Sequence, residues 1–286
     1  MTKIRNLLKL MRPHQWYKNL VIFLPFIFGG VLFDLTSFAK TLLGLMSLCF
    51  ISSTNYIIND IIDRNRDKNH PEKRNRPIAS KKIKVWEALI FALILLTISI
   101  TIAAYLNRYF LLSILAIFLL TQAYTFHLKK EIFVDIILIA LNFVIRTVSG
   151  AFIVDVKISS WLILCPFFLS LFISVGKRES DLIFLGKKAK YHREVLNYYS
   201  TALTNTLMII TTTSLVIAYS LYSFLSVYKD LLLTLPIALY AIFRYLYLIY
   251  QGSIVTRHPE KFFKDKRLAV STVLWVIAVI ILIYVV

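Results

Sequence analysis

The chain has 286 residues, 58% of them hydrophobic, with a mean hydropathy of +0.72 and a formal net charge of +18. So apolar a composition over this length excludes a soluble domain. The apolar runs are continuous, not alternating, so the sequence reads as a polytopic helical membrane protein and not a barrel. The charge suits cytoplasmic loops, anionic headgroups or a highly phosphorylated substrate; with no soluble basic domain, nucleic acid is a poor fit.

Residues 3–16 open as an interfacial amphipathic segment. Ile4, Leu7, Leu8 and Met11 share one helical face, Lys3, Arg5, Lys9 and Arg12 lie elsewhere, and Pro13 ends the helix. About 18 mixed residues precede the first apolar run, and no small-residue cleavage site follows, so no cleaved signal is expected. Trp16 and Tyr17 then sit at headgroup level. Nine spans are expected in a single membrane domain, at about 20–33, 39–58, 85–106, 109–126, 132–153, 159–175, 203–225, 231–250 and 268–286. Cys49 and Cys165 lie in apolar runs with no metal spacing and read as buried thiols.

The loops set the orientation. The N-terminus and loops 59–84, 127–131, 176–202 and 251–267 hold 27 of the 33 Lys and Arg residues; the opposite side holds Lys40, Arg108, Lys157 and Lys229. The basic side is expected to be cytoplasmic, which with nine spans puts the C-terminus outside. Arg146 and Arg244 fall inside spans, where a bond across helices or a lipid phosphate would each satisfy them.

Asp60, Asp63 and Asp67 stand at i, i+3 and i+7, within roughly 60° of one another on a helix. Carboxylates that close repel unless a divalent cation lies between them. Lys73, Arg74 and Arg76 follow immediately. Acids that can hold Mg²⁺ beside bases that can hold phosphate point to a diphosphate site, since Mg²⁺ is commonly shared between carboxylates and substrate oxygens; a solvated charged loop with this spacing is the plain alternative. Each other basic loop also contributes: Lys18; Tyr124 and Lys129, with Asp135 just beyond; Lys177, Arg178 and Glu179, which continue an apolar helix without a turn; and the run from His258 to Lys266. Together they would line a cavity at the cytoplasmic mouth of a bundle. His70, before Pro71, reads as a loop residue, with substrate contact the less favoured alternative. No Ser-His-Asp set, P-loop or GxGxxG occurs.

Asn59-Asp-Ile-Ile-Asp-Arg-Asn-Arg-Asp67 resembles the first aspartate-rich motif of the UbiA-type intramembrane prenyltransferases. Arg12-Pro-His-Gln-Trp-Tyr-Lys-Asn19, His70-Pro-Glu-Lys-Arg-Asn-Arg-Pro-Ile-Ala79 and Gly176-Lys-Arg-Glu179 look like its decaprenyl-phosphate phosphoribosyltransferase branch. The resemblance covers nearly the whole chain. It implies an all-α, nine-helix bundle of UbiA type in a prokaryotic plasma membrane, with a cytoplasm-facing cavity. It also implies a Mg²⁺ requirement, and transfer of phosphoribose from phosphoribosyl diphosphate to a polyprenyl phosphate. In that reading Asp60, Asp63 and Asp67 hold the metal and are catalytic. Lys18, Asn59, Lys73, Arg74, Arg76, Tyr124, Lys129, Lys177, Arg178 and Glu179 bind substrate, and a homo-oligomer is left open. Prenyl transfer from a prenyl diphosphate is the alternative chemistry. The second D-x-x-x-D motif of the wider superfamily is missing; Lys177-Arg-Glu-Ser-Asp181 takes its place, so a second carboxylate-bound metal is doubtful. A transporter is a third class, disfavoured because Pro25, Pro166 and Pro236 are too scattered to mark paired broken helices.

Overall fold

The computed structural model describes residues 3–68, 73–186 and 194–285, and every regular element among them is helical. In chain order the α-helices are α1 Lys3–Met11, α2 Phe23–Phe28, α3 Leu35–Ile62, α4 Arg64–Lys68, α5 Val85–Leu106 and α6 Arg108–Phe126. They continue with α7 Val134–Val154, α8 Ser160–Leu185, α9 Thr201–Leu225, α10 Leu235–Tyr250, α11 Ile254–Arg257 and α12 Lys266–Tyr284. Among the described residues eight helices are long and apolar enough to cross a membrane. The protein is a multi-pass membrane protein.

Where nine continuous spans were expected, the run at 20–33 is different. Residues Pro13–Ile22 wind as a 3₁₀ helix and pass into the six-residue α2. Pro13 and Pro25 lack an amide hydrogen, and Gly30 turns the chain at φ 75°. A 3₁₀ helix rises about 2.0 Å per residue, so the two pieces end to end reach roughly 29 Å, close to the hydrocarbon thickness. In α1 the exposed apolar side chains are Ile4 and Leu8, while Leu10 and Met11 pack inward. A surface-lying helix would show that division.

The chain divides into two compact units: residues 1–126 with 145–157, and 127–144 with 158–286. Helix α7 contributes its first half to the second unit and its second half to the first. In the first unit Ile22, Phe26, Leu48, Ile51, Phe110 and Ile114 form one buried cluster. A second joins α1 to Ile57, Ile78, Ile83 and the Ala88–Ala92 face of α5. Small residues let the helices approach. Ser47 Oγ donates to the Ser99 carbonyl at 2.9 Å, and Ser99 Oγ returns a bond to the Ser47 carbonyl at 2.8 Å. A Cβ on Gly150 would lie 2.2 Å from the Ile22 carbonyl oxygen. In the second unit Phe172, Val175, Met208, Leu215, Tyr245 and Ile249 make the core.

Candidate active site

Helix α3 begins where Asp34 accepts from the Thr36 and Ser37 amides, each at 3.1 Å. It runs past the expected span end and carries Asp60 in its last turn. Asp63 closes it, its amide bonded to the Asn59 carbonyl at 2.9 Å, and the Asp67 amide bonds to the Asp63 carbonyl at 2.8 Å. The i→i−4 pattern therefore continues across the junction with α4. Asp60 and Asp67, two turns apart, end on the same side, each only 2% exposed. Asp63 is half-buried.

Two buried carboxylates need counter-charge, and the structure supplies two guanidinium groups. Arg76 Nη1 donates to Asp60 Oδ1 at 3.0 Å and to Asp67 Oδ2 at 2.7 Å. Arg12 Nη2 also donates to Asp60 Oδ1, and its guanidinium stacks 5.0 Å from the Tyr56 ring. Arg12 sits at the end of α1 with φ 51°, in the left-handed region. Ser53 Oγ accepts from Trp16 Nε1 at 3.1 Å and donates to the Met11 carbonyl at 2.9 Å, which ties this turn to α3. Arg12 was not among the expected site residues. The one sequence signal for it was its place at the head of the Arg12–Asn19 motif.

Asn59, Lys18 and Lys73 are half-buried, and Lys18 lies 5.9 Å from the Tyr17 ring centroid. Arg74 is exposed on the short 3₁₀ turn Lys73–Asn75. Tyr124 is half-buried in the last turn of α6. His70 lies outside the described residues. Among the described residues no three His, Cys, Asp or Glu side chains close on one point. The donors still fit Mg²⁺: two buried carboxylates converge where a cationic nitrogen now sits, and that ion commonly takes one or two carboxylates and completes its octahedron with water and substrate oxygens.

In the second unit α8 does continue through Gly176–Asp181 without a turn, to Leu185. Its polar residues are engaged inside the protein. Arg178, 1% exposed, donates from Nε (3.0 Å) and Nη2 (2.7 Å) to Asp135 Oδ2. Tyr199 Oη donates to Asp135 Oδ1 at 2.8 Å. Burial, reinforced by the Asp135 charge, pushes the Tyr199 hydroxyl above its ordinary pKa and keeps it a donor. The Arg178 guanidinium is thus paired with a fully buried carboxylate. Glu179 accepts from the Thr204 hydroxyl, and Asp181 pairs with Arg257 at 3.4 Å. Lys177 and Lys129 are half-buried. Arg244, the second arginine expected within a span, donates to Asp265 at 3.2 and 2.7 Å, which answers its open reading in favour of an interhelical bond.

Paired buried carboxylates and guanidiniums at the end of a membrane-crossing helix form a site able to take a charged ligand, and the comparisons place the protein among the membrane transferases. The profile of the UbiA prenyltransferase family matches residues 20–264, and the chain belongs to that family. Its similarity within the family lies with the phosphoribosyltransferase branch. It is 31% identical to decaprenyl-phosphate phosphoribosyltransferase of Mycolicibacterium smegmatis over 226 residues, 77% of this chain and 71% of that one. It is 29% identical to decaprenyl-phosphate phosphoribosyltransferase of Corynebacterium glutamicum, over 77% of this chain and 67% of that one. The solved structure of a UbiA homolog from Archaeoglobus fulgidus, bound to DMAPP and Mg²⁺, superposes with a TM-score of 0.76 at 21% identity, covering 98% of this chain and 100% of that one. At that identity the likeness is one of fold.

Proposed function

We propose that the protein transfers 5-phosphoribose from phosphoribosyl diphosphate to a polyprenyl phosphate of decaprenyl type, releasing pyrophosphate, for lipid-linked sugar and envelope precursors. The reaction takes place at the cytoplasmic face of a prokaryotic plasma membrane, where the basic loops and the N-terminus lie. The observation that carries this reading is the convergence of Asp60 and Asp67 on the Arg76 guanidinium, with Arg12 on the same Asp60 oxygen. The named relatives support the choice of substrates.

Asp60 and Asp67, with Asp63 and Asn59 beside them, hold Mg²⁺, which when bound neutralises charge on the leaving diphosphate. Arg76, Lys73 and the exposed Arg74 take phosphate oxygens through charge-assisted hydrogen bonds. Lys18 and Tyr124 serve as substrate-binding residues of the first unit, and Lys129, Lys177, Arg178 and Glu179 are the substrate-binding candidates of the second. The lipid phosphate is anionic at neutral pH, so its oxygen attacks the anomeric carbon without a strong general base. The bond to the diphosphate breaks on the opposite face, and the anomeric centre inverts. The apolar tail stays in the bilayer throughout.

The test is purified protein with Mg²⁺, polyprenyl phosphate and phosphoribosyl diphosphate, read as lipid-linked phosphoribose. Asp60→Asn should lower its formation by at least about 100-fold with the protein still folded. Wild-type protein that makes no such product, yet turns over a prenyl diphosphate, would move the assignment to prenyl transfer.

A further inference from the structure

We infer that Arg12 and Arg76 are exchangeable counter-ions: without ligand they occupy the metal's place on Asp60 and Asp67, and they move to phosphate when the metal arrives with a diphosphate. This rests on the metal site of the proposed function and adds a coupling to it. Arg76 bridges both carboxylates and Arg12 holds the shared Asp60 oxygen, so each buried acid faces a guanidinium. That pairing gives each of two nearly inaccessible carboxylates a charge partner.

It also sets the order of events. A lone divalent cation meets two carboxylates on each of which one oxygen is already bonded to a guanidinium nitrogen. A cation carrying a diphosphate brings acceptors for those same nitrogens, and the planar arginine fork suits phosphate as well as carboxylate. Carboxylates then pass to the metal and guanidiniums to the phosphate, with no unpaired charge left buried. Metal and diphosphate therefore bind with positive coupling, through Arg12 and Arg76. The location of Arg12 suits a moving part. It stands on the turn after α1, between that helix and a 3₁₀ segment, in a left-handed backbone conformation held by the Ser53–Met11 bond.

The experiment uses detergent-purified full chain and two probes. Mn²⁺ alone is titrated by loss of the free-ion EPR signal, and a preformed Mn²⁺–pyrophosphate complex by retention of labelled pyrophosphate. Arg12→Gln should bind Mn²⁺ alone about tenfold more tightly than wild type and the complex about tenfold more weakly, with Arg12→Lys between the two. A residue that only props up the fold would weaken both or neither. Equal or weaker Mn²⁺ binding by Arg12→Gln, or both affinities moving in one direction, overturns the inference. Should Arg12→Gln lose its cooperative melting, Arg12→Lys and Arg76→Gln carry the same comparison. Neither probe involves sugar or lipid, so a chain that shows the exchange but forms no lipid-linked phosphoribose keeps the inference and refutes the reaction.

Discussion

Removing the Asp135 carboxylate should cost more stability than any surface substitution. Asp135 is 0% exposed and Arg178 1%, and the carboxylate takes two arginine bonds and the Tyr199 hydroxyl. In Asp135→Ala the guanidinium stays buried without its charge partner, which costs about 3–5 kcal/mol. Tyr199 loses an acceptor as well, adding about 1 kcal/mol. At roughly 2–4 °C per kcal/mol for a chain of this size, the apparent Tm in detergent should fall by about 10 °C or more. Asp135→Leu with Arg178→Met removes both charges and keeps apolar volume, so it should recover most of the loss. Scanning calorimetry of the two single variants and the double variant tests this. A shift under about 2 °C for Asp135→Ala, or strictly additive losses in the double variant, would refute the buried-pair reasoning.

Gly150→Ala should lower stability by about 1–3 kcal/mol, seen as a fall of a few degrees in the same melt, because its Cβ meets backbone at Ile22 and not a yielding side chain. Asp265, at the start of α12, has its carboxyl held below the ordinary value chiefly by the Arg244 hydrogen bond. A group depressed in the folded state stabilises at pH above its unfolded value, near 3.9, and the contribution is lost as pH falls through the folded value. Between about pH 5 and pH 3 the Tm of wild type should therefore drop further than that of Asp265→Asn, and parallel curves would remove Asp265 from the account.

The aspartate cluster was legible because its pattern is local: an i, i+7 spacing survives any helix that stays regular, and α3 into α4 stays regular. The all-helical, membrane-spanning class was legible from apolar run length alone. What the sequence hid was long-range or conformational. Asp60 and Arg12 are 48 residues apart, and Asp135 and Arg178 are 43 apart, so no spacing rule links them. Residues 20–33 read as a span because hydropathy counts apolar side chains and is blind to winding; the prolines divide that path into 3₁₀ and α pieces. That Arg178 pairs with Asp135 was not legible, because a charged residue at the end of an apolar helix carries no mark of its partner.

That same helix bears on how many metals the proposed site would hold. Glu179 and Asp181 are two residues apart on α8, about 200° around its axis, so they leave on opposite sides. Their contacts agree with that geometry: Glu179 is bonded to Thr204 on α9, and Asp181 to Arg257 on α11. One cation cannot draw both carboxylates without unwinding a helix turn. The chemistry of a second carboxylate pair is therefore absent from this stretch, and the Asp60–Asp67 pair should hold metal alone. Glu179→Gln keeps an acceptor for Thr204 and removes the charge. Mn²⁺ bound per chain, counted in the presence of pyrophosphate, should equal wild type, with affinity within about twofold. A variant that binds half as many ions would place a second metal on α8 and overturn this argument.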